Sequence, residues 1–192
     1  GRLYVRIEDT NPENIYPKAY KMIEEDSKWL FEGIAEVMIQ SYRMEIYYEY
    51  AEKLIKKNAV YVCTCSQEEF EKFVEMKKDC PCRNLSLKEN SDRWKKMLDK
   101  KGFALRDAVL RFKSLKGMKD PNPAMRDFPL VRINLANHPL QKKKYRVWPL
   151  MNFAVAVDDI ETIVTHIIRG KDLRDNAERE RMIFSVLGKK FP

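Results

Sequence analysis

Residues 6–12 read R-I-E-D-T-N-P and follow directly on the apolar residues Leu3-Tyr4-Val5. The stretch predicts a short buried strand over residues 1–8 that ends in a polar loop. The Thr-Asn-Pro end of this loop suits the cap and first turn of a following helix. A cap does not account for Arg6 and Glu8, and open α/β sheets bind ligands at the carboxyl ends of their strands. Arg6 and Glu8 are therefore candidate binding residues.

The segments after this loop alternate between helix and strand. Apolar residues recur near the helical period over residues 16–31 and 43–57, and E-V-M-I-Q at 36–40 predicts a strand between them. Strand, helix, strand and helix in this order predict a parallel sheet covered by helices. The aromatic and aliphatic residues on one face of the second helix are predicted to be core rather than a base-stacking platform; they are Tyr47, Tyr50, Ala51, Leu54 and Ile55.

The pattern becomes mixed after residue 59. Short strands and charged helices are predicted in turn at residues 60–65, 67–78, 87–100, 108–113, 130–134 and 145–148. The chain then predicts a helix over 151–159, an apolar stretch over 162–168 that ends in a strand at 165–168, and a last helix over 172–187. The fold class is therefore α/β, a parallel-sheet domain interrupted by a mixed α/β insertion over residues 62–146.

Composition favours a polyanionic partner without requiring one. The 192 residues include 37 Lys and Arg against 29 Asp and Glu, a formal net charge of +8. This excess favours RNA binding, although a surface rich in both Lys and Glu is also typical of soluble, thermophilic proteins. No run of 18 apolar residues and no signal-peptide pattern occur, so a cytoplasmic protein is expected. Because the sequence begins at Gly1 in a strand, we expect it to be part of a longer protein.

The four cysteines form two C-x-C pairs, Cys63-Thr64-Cys65 and Cys80-Pro81-Cys82, separated by 14 residues. Four thiolates can converge on one Zn²⁺ ion, and a tetrahedral four-cysteine site is structural because it leaves no open position. The spacing departs from the usual C-x-x-C knuckle. Two disulfides or four unrelated buried thiols are the alternatives. A chain without a secretory signal disfavours disulfides, so the sequence predicts a zinc site.

Four blocks of the sequence, in order, resemble the class I glutamyl- and glutaminyl-tRNA synthetases. They lie at residues 1–12, 40–63, 122–133 and 148–176, and they include R-I-E-D-T-N-P, Q-S-Y-R and R-G-K-D. The resemblance is greatest to the glutamyl enzymes of the archaeal type. It implies a Rossmann-like catalytic domain at residues 1–61 and 147–192. It also implies that residues 62–146 are an inserted domain that binds the tRNA acceptor end and carries the cysteine cluster.

The resemblance also implies an activity and a set of site residues. Members of this family activate glutamate with ATP and Mg²⁺ to glutamyl-adenylate and transfer it to the 3′ end of tRNA. By resemblance, Glu8 receives the α-ammonium of L-glutamate, and Arg169, at the end of the predicted strand 165–168, receives its side-chain carboxylate. A guanidinium pairs bidentately with a carboxylate, which favours glutamate over glutamine. Asp172 and Leu173 are implied to lie near the adenosine of ATP.

Three further residues have expected supporting roles. Arg6 is expected to order the acidic loop by pairing with Asp9. Asp158 and Asp159 are expected to support the pocket or the tRNA end, because class I aminoacylation depends on positioning and charge stabilisation rather than on acid–base carboxylates. Met151 stands where bacterial relatives carry a substrate-contacting Tyr, so that contact cannot be transferred.

The family's H-I-G-H and K-M-S-K-S-like signatures occur nowhere in the 192 residues. They are expected before Gly1 and after Pro192, and they hold the ATP phosphates. The parent protein is therefore expected to be a monomeric glutamate–tRNA ligase, whereas the isolated chain should be inactive. Two alternatives stay open at this point. One is a standalone zinc-containing RNA-binding module, and the other is a glutamyl transferase paralogue that acts on a modified tRNA base.

Overall fold

The computed structural model describes residues 1–192 and contains six strands and six α-helices. The strands are β1 (Leu3–Ile7), β2 (Ala35–Ile39), β3 (Val60–Cys63), β4 (Val109–Phe112), β5 (Pro129–Ile133) and β6 (Val147–Pro149). The helices are α1 (Ala19–Leu30), α2 (Met44–Lys56), α3 (Gln67–Glu75), α4 (Leu87–Leu98), α5 (Met151–Glu161) and α6 (Arg174–Leu187). None of these helices has the length and hydropathy of a membrane span.

The strands form two separate sheets. β1 and β2 pair in parallel, with Ile7 opposite Ile39, so the loops that begin at Glu8 and Gln40 leave the same edge. This parallel pair, connected through α1, confirms the strand–helix–strand reading of the first forty residues. β3, β4, β5 and β6 form an antiparallel sheet in that spatial order.

The main core lies between the antiparallel sheet and the helices α2, α4, α5 and α6. Twenty-six buried residues form one cluster there, including the whole predicted face of α2 from Tyr47 to Ile55. The prediction that this face is core is therefore confirmed.

The antiparallel sheet runs from β3 to β6 and so spans both predicted domain boundaries, near residues 61 and 146. The division into domains stays a prediction.

Helix α1 forms where the sequence predicts it, but most of its periodic apolar face stays exposed. Trp29 is 82% exposed, and Met22 and Leu30 are also exposed. The reason is geometric, because a two-stranded sheet offers little area to a twelve-residue helix.

The strand predicted over residues 165–168 is wrong. Those residues are irregular, and Ile168 is fully exposed. A strand requires a neighbour in a hydrogen-bonded ladder, whereas here Ile163 takes a left-handed conformation (φ 54°) and the Val164 N–H donates back to the Asp159 carbonyl. The segment is thus tied to the end of α5, and Arg169 lies in a loop rather than at a strand end.

Candidate functional site

The loop after β1 is fixed by Asp9, which is buried. Its carboxylate accepts hydrogen bonds from the Tyr20 hydroxyl at 2.7 Å, and from the Ser41 backbone N–H and hydroxyl at 2.8 and 2.7 Å. His138 Nε2 lies 2.8 Å from the Asp9 carbonyl oxygen. Asp9 therefore joins the ends of β1 and β2 to the loop that precedes β6.

Arg6 pairs with Asp159 and Glu8, so the expected Arg6–Asp9 pair is wrong. Arg6 Nη1 donates to Asp159 Oδ1 at 2.6 Å, and Nε donates to Glu8 Oε1 at 3.3 Å. Residue alternation explains the difference, since Arg6 and Glu8 lie on the same side of the extended chain and Asp9 lies on the other. The second oxygen of Asp159 is buried and has no hydrogen-bond partner in the protein.

The Q-S-Y-R sequence at residues 40–43 holds a second buried carboxylate, Asp158 on α5. Gln40 Nε2 donates to it at 2.9 Å, Arg43 Nε at 2.7 Å, and the Tyr47 hydroxyl at 2.9 Å. Burial raises the pKa of Asp158, although the hydrogen bonds of Arg43 and Gln40 act in the opposite direction. Asp158 is enclosed by these partners and links β2 and α2 to α5, which makes it a supporting residue.

Arg169 forms a bidentate ion pair with Glu180 on α6. Arg169 Nη1 and Nη2 donate to the two Glu180 oxygens at 2.9 and 2.8 Å. The Glu180 side chain is 1% exposed and that of Arg169 is 17% exposed. Burial raises the pKa of Glu180, while Arg169 lowers it and Asp159 raises it further. The pair anchors the loop that follows α5 to the buried face of α6.

A cavity of about 400 Å³ opens beside Arg169. Leu173 lines this cavity. Asp172 does not line it, and its carboxylate lies so close to Gly170 that a Cβ atom at residue 170 would overlap it. The remaining lining residues include two more cations and no carboxylate; the full set is Arg169, Gly170, Lys171, Leu173, Arg174 and Ala177. This lining suits an anionic ligand.

Glu8 and Arg169 do not contact each other. Glu8 pairs with Arg6 and Arg169 pairs with Glu180, and the charges of Arg6 and Asp159 both act on Glu180. The two predicted substrate residues therefore belong to one connected group of charges. Any molecule that bridges them would have to lie between an anion, Glu8, and a cation, Arg169.

The four cysteines converge at one point between β3 and the turn after α3. Their sulfur atoms all lie within 4.8 Å of one another, and the closest contacts are 3.3 to 3.9 Å. A tetrahedral ion with Zn–S bonds of about 2.3 Å holds its sulfurs about 3.8 Å apart. All four thiols are free, so the donor set and its spacing fit a zinc ion.

The thiol cluster is already polarised by its neighbours. The neighbouring thiols lower the pKa of Cys82, and Arg93 Nη1 adds a donor at 3.4 Å from the Cys82 sulfur. Burial raises the pKa of Cys65 to about 12. A bound metal cation would favour all four sulfurs as thiolates.

A larger cavity of about 780 Å³ lies between α3, the sheet strands β4 and β5, and the loop after β1. Its walls combine three arginines with an aromatic ring and few acids. The Arg111 guanidinium stacks on Phe70 at 3.4 Å from the ring centroid, and Arg132 Nη2 donates to Asn11 at 2.7 Å. The third arginine is Arg106. A basic groove that contains an aromatic ring suits a polyanion with stacking groups.

Sequence reasoning missed two residues that organise the site, Glu180 and His138. Glu180 lies on the same face of α6 as the buried Ile183 and Phe184, and a carboxylate on an apolar helix face is a signal that the sequence contains. His138 stacks on Trp148 with centroids 4.9 Å apart. No local pattern marks that contact, because it depends on a loop that folds back onto β6.

Comparison with known proteins identifies relatives over the whole chain. Residues 1–192 match the family described as tRNA synthetases class I (E and Q), catalytic domain. Proteins named glutamate–tRNA ligase are 46% identical in Methanothermobacter marburgensis and 44% identical in Methanopyrus kandleri, over 98% of this chain in each case. The chain spans about a third of the length of these curated relatives.

Solved structures share the fold. A crystal structure described as a glutamate tRNA ligase from Elizabethkingia meningosepticum in complex with its amino acid aligns with a TM-score of 0.68 at 21% identity. The alignment covers all of this chain and 41% of that one. A glutamate-tRNA synthetase from Elizabethkingia anophelis aligns with a TM-score of 0.67. At 21% identity this likeness establishes a shared fold alone, and the family match identifies that fold as the Rossmann-like catalytic domain of class I synthetases.

Proposed function

The chain belongs to the family of class I tRNA synthetase catalytic domains for glutamate and glutamine, and from this membership we propose that it is the central part of a glutamate–tRNA ligase. The observation that carries the proposal is the relationship to proteins of that name, at 42–47% identity over nearly the whole chain. The proposed reaction joins glutamate to ATP as glutamyl-adenylate with release of pyrophosphate. The 3′-terminal ribose of tRNA then takes the glutamyl group and releases AMP.

The charges around Arg169 and Glu8 support a glutamate pocket. Glutamate carries one ammonium group and two carboxylates, so its pocket requires an anion and cationic donors. Glu8 is proposed to receive the α-ammonium, and Arg169 to receive the side-chain carboxylate. Three cations line the cavity beside Arg169, namely Arg169 itself, Lys171 and Arg174. They favour a carboxylate over its neutral amide, which supports glutamate rather than glutamine as substrate.

ATP is proposed to bind next to this pocket, with Leu173 and Asp172 near the adenosine. Leu173 lines the same cavity as Arg169, so a nucleotide there would lie beside the amino acid. The H-I-G-H and K-M-S-K-S-like signatures are absent from the 192 residues. We therefore expect that the isolated chain does not form adenylate, because the cations that stabilise the reacting phosphates in this family belong to those signatures.

Zn²⁺ is proposed to bind Cys63, Cys65, Cys80 and Cys82 in a structural role. The sulfur spacing and the four-thiol donor set support this proposal. When bound, the ion would cross-link β3 to the turn that follows α3, on one side of the larger cavity. That cavity is the proposed path of the tRNA acceptor end, because its walls combine three arginines and an aromatic ring and adjoin the loop after β1.

Aminoacylation by the full-length protein tests the proposal directly. We expect labelled glutamate, but not labelled glutamine, to become attached to tRNA in the presence of ATP and Mg²⁺. The control is tRNA that lacks its 3′-terminal nucleotide, which should remain unlabelled. Equal labelling of the shortened tRNA would refute attachment of glutamate to the 3′ end and would indicate transfer to an internal base. Absence of any labelling with intact tRNA would also refute the proposal.

A further inference from the structure

Glu180 occupies only part of the hydrogen-bonding capacity of Arg169. Its two oxygens accept from Arg169 Nη1 and Nη2, at 2.9 and 2.8 Å. The Arg169 Nε–H donates to no protein atom. A guanidinium can bind a carboxylate in parallel hydrogen bonds along its Nη1–Nη2 edge or along its Nε–Nη2 edge. Glu180 uses the first edge and leaves the second edge free.

The free Nε–Nη2 edge belongs to Arg169, which lines the cavity of about 400 Å³ described above. Arg169 is a wall of that cavity, Glu180 is not, and the lining includes no carboxylate. A ligand carboxylate in the cavity would therefore find the Nε–Nη2 edge available without competition from an acid of the protein.

Displacement of Glu180 by a ligand is unfavourable. Glu180 is 1% exposed and lies on the face of α6 that packs into the core with Ile183 and Phe184. A carboxylate pushed off Arg169 would remain buried without a counter-ion, and that state is strongly disfavoured. A second carboxylate is thus expected to add to Arg169 while Glu180 stays in place.

We propose that Glu180 is a positioning residue for amino-acid recognition, which holds Arg169 by one edge so that the Nε–Nη2 edge meets the side-chain carboxylate of the substrate. This inference rests on the proposed function. Arg169 lies in an irregular loop, and a long side chain there loses rotamer freedom when it binds a ligand. Glu180 removes that freedom before the substrate arrives, and such preorganisation strengthens binding.

The test is steady-state aminoacylation by the full-length enzyme and its Glu180→Gln variant. The amide can accept from only one Nη and turns its NH₂ group toward the other donor, so Arg169 loses its fixed orientation. We expect the KM for glutamate to rise about tenfold or more, while kcat and the KM for ATP stay within about threefold. An unchanged KM for glutamate would overturn the inference.

A double-variant comparison separates positioning from a general structural role. If Glu180 acts through Arg169, the Glu180→Gln change should leave the KM for glutamate unaltered in an Arg169→Ala background. The same fold increase in both backgrounds would overturn the inference. Loss of all glutamylation in the unmodified enzyme would instead overturn the proposed function, and the inference with it.

A third variant covers the case in which Glu180→Gln does not fold, as judged by its urea unfolding midpoint. Arg169→Lys keeps the positive charge next to Glu180 but has no second edge. We expect it to raise the KM for glutamate about tenfold or more without a matching change in kcat. A KM equal to that of the unmodified enzyme would overturn the inference.

Discussion

Replacement of Arg169 by alanine should destabilise the fold as well as weaken the proposed substrate pocket. The change leaves the Glu180 carboxylate, 1% exposed, without its only ion-pair partner. Removal of one member of a buried pair typically costs about 3–5 kcal/mol, because the remaining charge stays buried. We therefore expect the free energy of unfolding to fall by about 3–5 kcal/mol at pH 8.

The pH dependence of this loss follows from the pKa of Glu180. Burial already raises that pKa in the folded protein, and Arg169 lowers it. Without Arg169 the folded-state pKa rises further above the unfolded value. A group with a raised folded pKa favours the folded state at low pH and loses that contribution as the pH rises through the folded pKa. The variant should therefore be closer in stability to the unmodified protein at pH 5 than at pH 8.

Urea unfolding followed by far-ultraviolet circular dichroism measures both effects. Arg181→Ala is the matched control, since Arg181 pairs with Glu178 on the same helix with side chains 56% and 55% exposed. Exposed pairs contribute about 0–1 kcal/mol. A second change, Glu180→Leu, should restore most of the stability lost in Arg169→Ala. A loss at pH 8 no larger than that of Arg181→Ala would refute the reasoning.

Three other predictions concern the core, the pocket and the metal. Tyr47→Phe removes a donor to a buried carboxylate and should lower the free energy of urea unfolding by about 1.5–3 kcal/mol. Tyr48→Phe removes a donor to a neutral carbonyl and should lower it by about 0.5–1.5 kcal/mol, so equal losses would contradict this prediction. Glu8→Gln in the full-length enzyme should raise the KM for glutamate about tenfold, while Glu13→Gln in the same loop should not change it. An unchanged KM in both variants would show that Glu8 is not part of the pocket. Cys82→Ser should reduce the zinc content from about one equivalent to below about 0.5 and lower the midpoint of thermal unfolding by roughly 10 °C. A full equivalent of zinc in this variant would argue against the four-cysteine site.

Several features of the fold were predictable because they depend on local periodicity. The apolar face of α2 and the parallel pairing of β1 with β2 follow from residue spacing and element order. The two C-x-C pairs predicted a convergence of four thiols, and the structure brings all four within 4.8 Å. The strand predicted over 165–168 was wrong because a stretch rich in β-branched residues does not become a strand without a neighbour to pair with.

The sequence by itself determined which residue types are available at the site, and the tertiary structure decided which of them meet. R-I-E-D-T-N-P places Arg6 and Glu8 at a strand end by local rules of alternation and capping. The choice of Asp159 as the partner of Arg6 joins residues 153 positions apart. Glu180 likewise reaches Arg169 only because α6 packs against the loop that follows α5. Periodicity encodes the face on which a side chain lies, whereas the pairing of charges depends on how distant elements pack together.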